Sequence, residues 1–324
     1  MAWALLAASA LLGLAGLACG SDGWSWPAWG SGDDGLIVSR IRAPRTLGAW
    51  LVGALLGLAG AIAQGLFRNP LADPYLLGSA SGASLAVVAV LAASALGGGA
   101  VAWSAADGLA RFGLVGAAFV GALVGVLFTL VLARGARETS RLLLAGVVVG
   151  VVLTALGDLL ASAAPEALRG RQVFMLGTTS FLGWGSAVWL AAGLLVILPV
   201  AWRLARVLDA LTLGEDSAMS LGLALPRWRL VLVAALALAT GLAVSQAGLV
   251  AFVGLVSPHL VRRWAPAGHG YTVLASTAAG GVLLLAADVL ARSLIAPQEL
   301  PVGVVTAVLG GGYLLWLLYR GRVV

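Results

Sequence analysis

Leu211-Thr212-Leu213-Gly214-Glu215-Asp216-Ser217-Ala218-Met219-Ser220-Leu221-Gly222-Leu223 is a short, weakly amphipathic stretch with two acids, set between long apolar runs. Arg203 and Arg206 precede it, and Arg227 and Arg229 follow it. In a chain this apolar, such an island has to sit in water. Its basic flanks place that water on the cytoplasmic side, where the loops beside membrane spans carry an excess of Arg and Lys. The island has the character of a small helix held where another protein can push it.

Composition sets the class. The chain has 324 residues, of which 61% are hydrophobic and 10% charged, with a mean hydropathy of +1.05. Soluble chains carry about 25% charged residues, so these numbers indicate an all-α polytopic membrane protein. A β-barrel would show alternating segments of roughly 10 residues instead of long apolar runs. All 19 basic residues are Arg, and Lys is absent. A Walker A motif requires its Lys, so the chain holds no standard P-loop and no Schiff-base lysine. The +6 charge does not argue for nucleic acid, because the arginines cluster at the ends of apolar segments. The single cysteine, Cys19, excludes an internal disulfide. Cys19 after Leu17-Ala18 invites a lipoprotein reading, but Met1–Gly20 has no basic residue where a signal peptide needs one, which favours the alternative. The stretch reads as an uncleaved first span.

A bilayer span takes about 20 apolar residues, and about ten segments meet that description on this scale. They are Met1–Gly20, Thr46–Phe67, Leu76–Ala100, Phe112–Ala133, Leu142–Ala163, Gly183–Leu204, Leu230–Gly248, Leu249–Val261, Val273–Ile295 and Val302–Tyr319. The eighth is too short to cross squarely and carries Pro258. With both termini cytoplasmic, Arg40, Arg42, Arg45, Arg111, Arg169, Arg171 and Arg292 lie outside, and the other 12 of the 19 lie inside. That asymmetry favours this orientation. The outer arginines are still numerous enough to ask for a partner or ligand.

The 45 glycines fall mostly inside the spans. Gly53-x-x-x-Gly57, Gly121-x-x-x-Gly125 and Gly146-x-x-x-Gly150 are small-residue ridges that let helices approach closely. They serve packing within one subunit or contact with a second copy. Gly57–Pro70 and Gly241–Pro258 share a loose Gly-Leu-Ala…Gln…Pro plan, the kind of internal similarity found in duplicated transporters.

Few residues offer chemistry. Asp158 and Asp288 are the two acids within spans, where acids are costly. Asp288 lies four residues before Arg292, a spacing that brings the two side chains together on one helix face. Asp158 falls close to Pro165, toward the outer surface. His259 and His269 have no Cys or carboxylate at metal-ligand spacing. No paired catalytic carboxylates, nucleophile elbow or zinc signature occurs, so neither an enzyme nor a metal site is expected. The loop Arg68-Asn69-Pro70-Leu71-Ala72-Asp73-Pro74 has two prolines that interrupt any helix. Asn69 and Asp73 are suited to satisfying its freed backbone groups.

Several stretches, taken in order, carry a family resemblance: Ile41–Arg45, Gln64–Ala72, Thr139–Gly146, Leu213–Glu215 with Leu221–Leu223, Phe252–His259 and Glu299–Ala307. The chain resembles the FecCD family, the permease subunits of binding-protein-dependent ABC importers for iron-siderophores, haem and vitamin B12. Thr139–Gly146 and Glu299–Ala307 are most similar to permeases for vitamin B12. The resemblance implies a single permease domain over residues 1–324, working as a homodimer with a central translocation pathway in the bacterial inner membrane. It also implies two ATP-binding-cassette ATPase subunits below, holding ATP and Mg, and a periplasmic binding protein above that delivers a metal chelate. No cofactor is expected on this chain.

By the same resemblance, Arg42, Arg45 and Arg292 match rim arginines that meet carboxylates of the binding protein. Thr139, Ser140, Asn69 and Leu71 match cytoplasmic gate positions. Residues 207–227 match the coupling segment for the ATPase, with Leu213, Gly214, Glu215, Asp216, Ala218, Leu221 and Gly222 at its centre. Glu215 and Asp216 would cap a helix N-terminus or meet basic ATPase side chains. Gly310-Gly311-Gly312 and Arg169–Gly177 depart from the family pattern, and the latter leaves the cargo open. A secondary transporter driven by an ion gradient is the competing reading, which would need acids or broken helices around a mid-membrane site.

Overall fold

The computed structural model describes residues 1–20, 23–24, 33–96, 108–136 and 138–320. Helix α1 (Ala2–Ala18) leads into two paired two-residue strands, Cys19–Gly20 and Gly23–Trp24, the one departure from an all-helical chain among the described residues. α2 (Asp33–Ile37) runs through a π-helical turn, Val38–Arg42, into α3 (Ala43–Phe67). A loop with the 3-10 turn Pro74–Leu77 precedes α4 (Ser79–Leu96), α5 (Gly108–Leu132), α6 (Thr139–Ala163) and α7 (Pro165–Leu176). α8 (Trp184–Arg203), α9 (Ala205–Thr212), α10 (Glu215–Ser220) and α11 (Leu225–Ala247) follow. The described chain ends with α12 (Val253–Trp264), α13 (His269–Ser293) and α14 (Val302–Tyr319).

Seven helical stretches among the described residues are long and apolar enough to cross a membrane, and Ala2–Ala18 and Ser79–Ala95 are shorter apolar helices. Each coincides with a segment drawn from the sequence. The remaining segment, Leu249–Val261, is α12. Its 12 residues rise about 18 Å, which is short of a hydrocarbon core of about 30 Å. It starts only after two left-handed breaks, Gly248 at φ 70° and Phe252 at φ 67°. The Arg169–Gly177 stretch forms most of α7, a helix that the span assignment had not anticipated. Residues 97–100 of the third segment, with Arg137 and Arg322, lie outside the described residues.

α3 is the axis of the bundle. It is apolar all round and buried along nearly its whole length, as an enclosed helix must be. Its glycines set how closely its neighbours approach. A Cβ at Gly53 would lie 2.3 Å from the Gly280 carbonyl oxygen of α13, and one at Gly60 would lie 1.7 Å from that of Gly254 in α12. The other ridges behave alike: Gly121 faces Gly82 of α4, and Gly146 faces the Leu76 carbonyl. These glycine contacts are made within one chain, which favours the packing reading over dimer contact. The outward faces of α5, α6, α8 and α14 carry exposed Phe128, Val151, Leu195 and Leu315. Such a surface suits lipid or another apolar chain and does not suit water.

Candidate functional site

α3 places one polar cluster at each end of the bundle. Arg45 stands in its first turn and Arg68 just past its last residue, 23 positions later, a separation of about 35 Å along the axis.

At the first end, Asp288 of α13 is fully buried and is the centre of an ion-pair lattice. Arg45 donates to its Oδ1 from Nε at 3.3 Å and from Nη2 at 3.2 Å. The Thr179 hydroxyl donates to the same oxygen at 2.5 Å. Arg292 takes Oδ2 from one turn further along α13, as the four-residue spacing predicts. Glu299 joins from the loop before α14: its Oε1 accepts from Arg45 Nη1 at 2.8 Å and its Oε2 from Ser180 Oγ at 2.9 Å. Burial alone would raise the Glu299 carboxyl, but the hydrogen bond and charge of Arg45, helped by Ser180 and Arg292, hold it below its usual value. The arginines also fasten α1. Arg292 Nη1 donates to the Gly16 and Cys19 carbonyls at 3.0 Å each, and Arg42 Nη1 donates to those of Leu17 and Ala18 at 3.2 and 3.4 Å. Carbonyls at a helix C-terminus lack intrahelical donors and carry negative partial charge, so cations are fitting partners.

Two of the three expected rim arginines have partners within the chain. Arg45 is 7% and Arg292 1% exposed, and both guanidinium groups face carboxylates of their own chain. Arg42 is half-buried against α1. Only Arg40 and Arg169 of the predicted outer set are exposed without a described ion pair, while Arg171 pairs with Asp158. Asp158 itself is well exposed, consistent with its expected place toward a surface.

At the other end, Glu215 of α10 is the hub. Its Oε1 lies 2.5 Å from Arg229 Nη2 of α11 and 3.8 Å from Arg68 Nη2, and it accepts a 3.4 Å hydrogen bond from Thr139 Oγ1 at the start of α6. One carboxylate thus touches the helix that follows the α10 segment, the loop after α3 and the entry to α6. The Arg68–Pro74 loop is held as its residues suggested. Asn69 Oδ1 accepts from Leu71 N at 2.9 Å, and Asp73 Oδ1 accepts from Tyr75 N at 2.8 Å. Burial pushes the Asp73 carboxyl up, against that same N–H bond. Asn69, Leu71 and Ser140 are exposed. Among the four gate candidates only Thr139 reaches the hub.

α10 hangs between two turns that strongly favour glycine, Gly214 at φ 100° and Gly222 at φ 80°. Ala218 is buried against the bundle, while Leu213, Met219 and Leu221 are more than half exposed. Asp216 is exposed. No side chain caps α10, which corrects the expectation that Glu215 caps the helix; Glu215 instead turns to arginines of its own chain. α9 buries Val207, Leu208 and Leu211 beneath α3 and α13. Its Asp209 caps α13, with Oδ1 2.9 Å from His269 N and 2.7 Å from His269 Nδ1. The sequence offered His269 no partner at local spacing, and the fold supplies one 60 residues away. No cluster of metal-ligating side chains occurs among the described residues.

Sequence reasoning missed Thr179, Ser180 and Glu299 as partners of Arg45 and Asp288. The one local signal, Asp288 four before Arg292, gave half of the lattice. The Arg45–Asp288 contact spans 243 residues and leaves no mark in local spacing.

Comparison with known proteins places this arrangement. The profile of the FecCD transport family matches residues 4–320. The chain belongs to the FecCD transport family. Among curated FecCD relatives, the vitamin B12 import system permease protein BtuC of Pectobacterium atrosepticum is 38% identical over 322 residues, covering 98% of this chain and 93% of the relative. The protein of the same name from Salmonella paratyphi A is 41% identical over 320 residues, covering 98% and 94%. A solved structure of a metal-chelate-type ABC transporter in an inward-facing conformation superposes with a TM-score of 0.86 at 24% identity, covering 98% of both chains. That likeness shows a shared fold, and with the family match it describes a multi-pass, all-helical membrane protein.

Proposed function

We propose that this chain is the non-catalytic permease subunit of an ATP-binding-cassette importer for a metal chelate of the vitamin B12 class. A periplasmic binding protein delivers the cargo, two copies of the chain enclose a pathway along their two-fold axis, and two separate ATPase subunits drive it. The relatives named for vitamin B12 import support the cargo class. The observation that carries the drive mechanism is α10, a six-residue helix between two glycine turns with apolar side chains outward and Glu215 inward. Exposed Leu213, Met219 and Leu221 suit a cleft on an ATPase subunit. Movement of α10 would then reach Arg68, Thr139 and Arg229 through one carboxylate.

In this reading both termini and α10 are cytoplasmic, and the Asp288 lattice is periplasmic. Asn69, Leu71, Thr139 and Ser140 form the inner gate. Carboxylates of a binding protein have to compete with Asp288 and Glu299 for Arg45 and Arg292. Arg40 and Arg169, the exposed outer arginines without a described ion pair, therefore make the first contacts, and Arg45 and Arg292 chiefly hold the rim in shape.

The test is reconstitution in proteoliposomes with the ATPase and binding protein. Labelled vitamin B12 should accumulate only with ATP and the binding protein present. Accumulation without ATP that an uncoupler abolishes would establish the ion-gradient reading instead. Leu213→Asp with Leu221→Asp should prevent ATPase co-purification while leaving the bundle folded.

A further inference from the structure

A groove of about 530 Å³ opens between α5 and α8 at the Arg111 end of the bundle, with α11 as its floor. α8 meets α11 closely at Gly193, where a Cβ would lie 2.1 Å from Leu242 Cδ1, and α5 meets α11 where Phe119 covers Gly241. Toward Arg111 the two outer helices leave space between them. A Cβ added at Gly116, Gly183 or Gly185 would find no heavy atom within 4 Å. Residues without side chains thus hold the groove open. Phe119, Trp189 and Leu242 make its walls apolar, and Phe112 and Trp189 are exposed beside it.

Two polar side chains stand at the mouth. Arg111 donates from Nη2 to the Phe181 carbonyl, and its guanidinium lies 5.5 Å from the centre of the Phe181 ring. A guanidinium has five donors, so the bond to Phe181 leaves most of them for an anion. Gln246 is 9% exposed, and its side chain makes no hydrogen bond to any described residue. Both also line a water-sized void beside the groove.

We propose that this groove binds a phospholipid with an anionic headgroup from the leaflet at the Arg111 end. An acyl chain lies between α5 and α8 on Phe119, Trp189 and Leu242. The phosphate takes the open edge of Arg111, a planar donor suited to paired oxygens, and the Gln246 amide meets the ester or headgroup oxygens. A small soluble anion would leave the apolar slot unfilled. A helix of another protein, about 10 Å across with its side chains, would seat little more than one turn in this volume. The inference does not depend on the cargo or on the direction of transport.

The full-length chain in nanodiscs of equimolar phosphatidylglycerol and phosphatidylethanolamine, released for native mass spectrometry, tests this. Phosphatidylglycerol should be retained about fivefold over phosphatidylethanolamine, whose ammonium offsets the phosphate charge that Arg111 meets in both lipids; one arginine near a charged surface contributes about that factor. Arg111→Gln should return the ratio to bulk, and Arg111→Lys should keep it above bulk. Gly116→Trp should abolish retention of either lipid. If that variant fails to fold, Gly185→Leu on the facing wall gives the same readout. Equal retention of both lipids by the unaltered chain, or retention that ignores the groove-filling substitutions, overturns the proposal.

Discussion

Glu215 Oε1 and Arg229 Nη2 stand 2.5 Å apart, tying the first residue of α10 to the start of α11. Arg229 is buried, while Glu215 is one-third exposed. The pair therefore bridges water and the interior of the bundle. Because Arg68 and Thr139 reach the same oxygen, displacement of α10 has to be felt in the loop after α3 and at the entry to α6. One carboxylate thereby ties a short helix with few buried contacts of its own to the bundle.

Gly214 supports that arrangement through backbone conformation alone. At φ 100° and ψ 157° it occupies a region that is nearly closed to other residues, yet a Cβ there would meet nothing within 4 Å. Gly214→Ala should cost about 1–3 kcal/mol, all of it local strain. Proteolysis around α10 should accelerate and ATPase affinity should fall, while thermal unfolding of the bundle changes little.

Asp288→Asn removes the carboxylate that two buried arginines share and leaves Arg45 with Glu299 alone. Losing one partner of a buried pair costs about 3–5 kcal/mol, and the thermal midpoint of the purified chain should fall accordingly. Replacing Arg45, Asp288, Arg292 and Glu299 together by uncharged residues should recover much of the loss, because no unpaired charge of the lattice then remains.

Glu299 gives the lattice a pH dependence of known sign. Its folded-state affinity for protons is depressed from the ordinary value of 4.5. Its contribution is therefore fully present above that value and lost as pH falls through the lower, folded value. The difference in thermal midpoint between the unaltered chain and Glu299→Gln should be constant near neutrality and vanish in strong acid. A difference that grows as the solution is acidified would contradict the Arg45–Glu299 pairing.

Gly60 and Gly113 form a matched comparison. A Cβ at Gly60 would strike the Gly254 carbonyl oxygen at 1.7 Å, whereas one at Gly113 would meet nothing. Gly60→Ala should destabilise by more than the 1–3 kcal/mol or so typical of overpacking, since backbone must move. Gly113→Ala should be neutral or slightly stabilising, as alanine favours helix. Thermal melts of the two variants decide the point.

Much of the fold was legible because a membrane imposes length and polarity on each segment. Long apolar runs and terminal arginines placed the spans, and the shortness of Leu249–Val261 announced a helix that does not cross squarely, although the breaks fall at Gly248 and Phe252 and Pro258 sits inside α12. The hub of the inner cluster was legible only as a pair of acids in a polar island, since its partners Arg68, Thr139 and Arg229 come from separate parts of the chain. The outer lattice was hidden for the same reason. Arg45 looks like a surface cation beside Pro44, and only its meeting with Asp288, Thr179 and Glu299 shows why it can be buried. The ends of α3 and α13 thus had meanings that depend on tertiary neighbours, which residue spacing does not encode.

The central claim is that Glu215 carries the motion of α10 to the gate. The direct measurement is uptake of labelled vitamin B12 per ATP hydrolysed, by the reconstituted complex carrying Glu215→Gln. An amide carries no charge, so it leaves α10 in place but ends the ion pairing with Arg68 and Arg229. Uptake per ATP should fall severalfold while ATPase binding and hydrolysis persist. An unchanged ratio of uptake to hydrolysis would contradict the account.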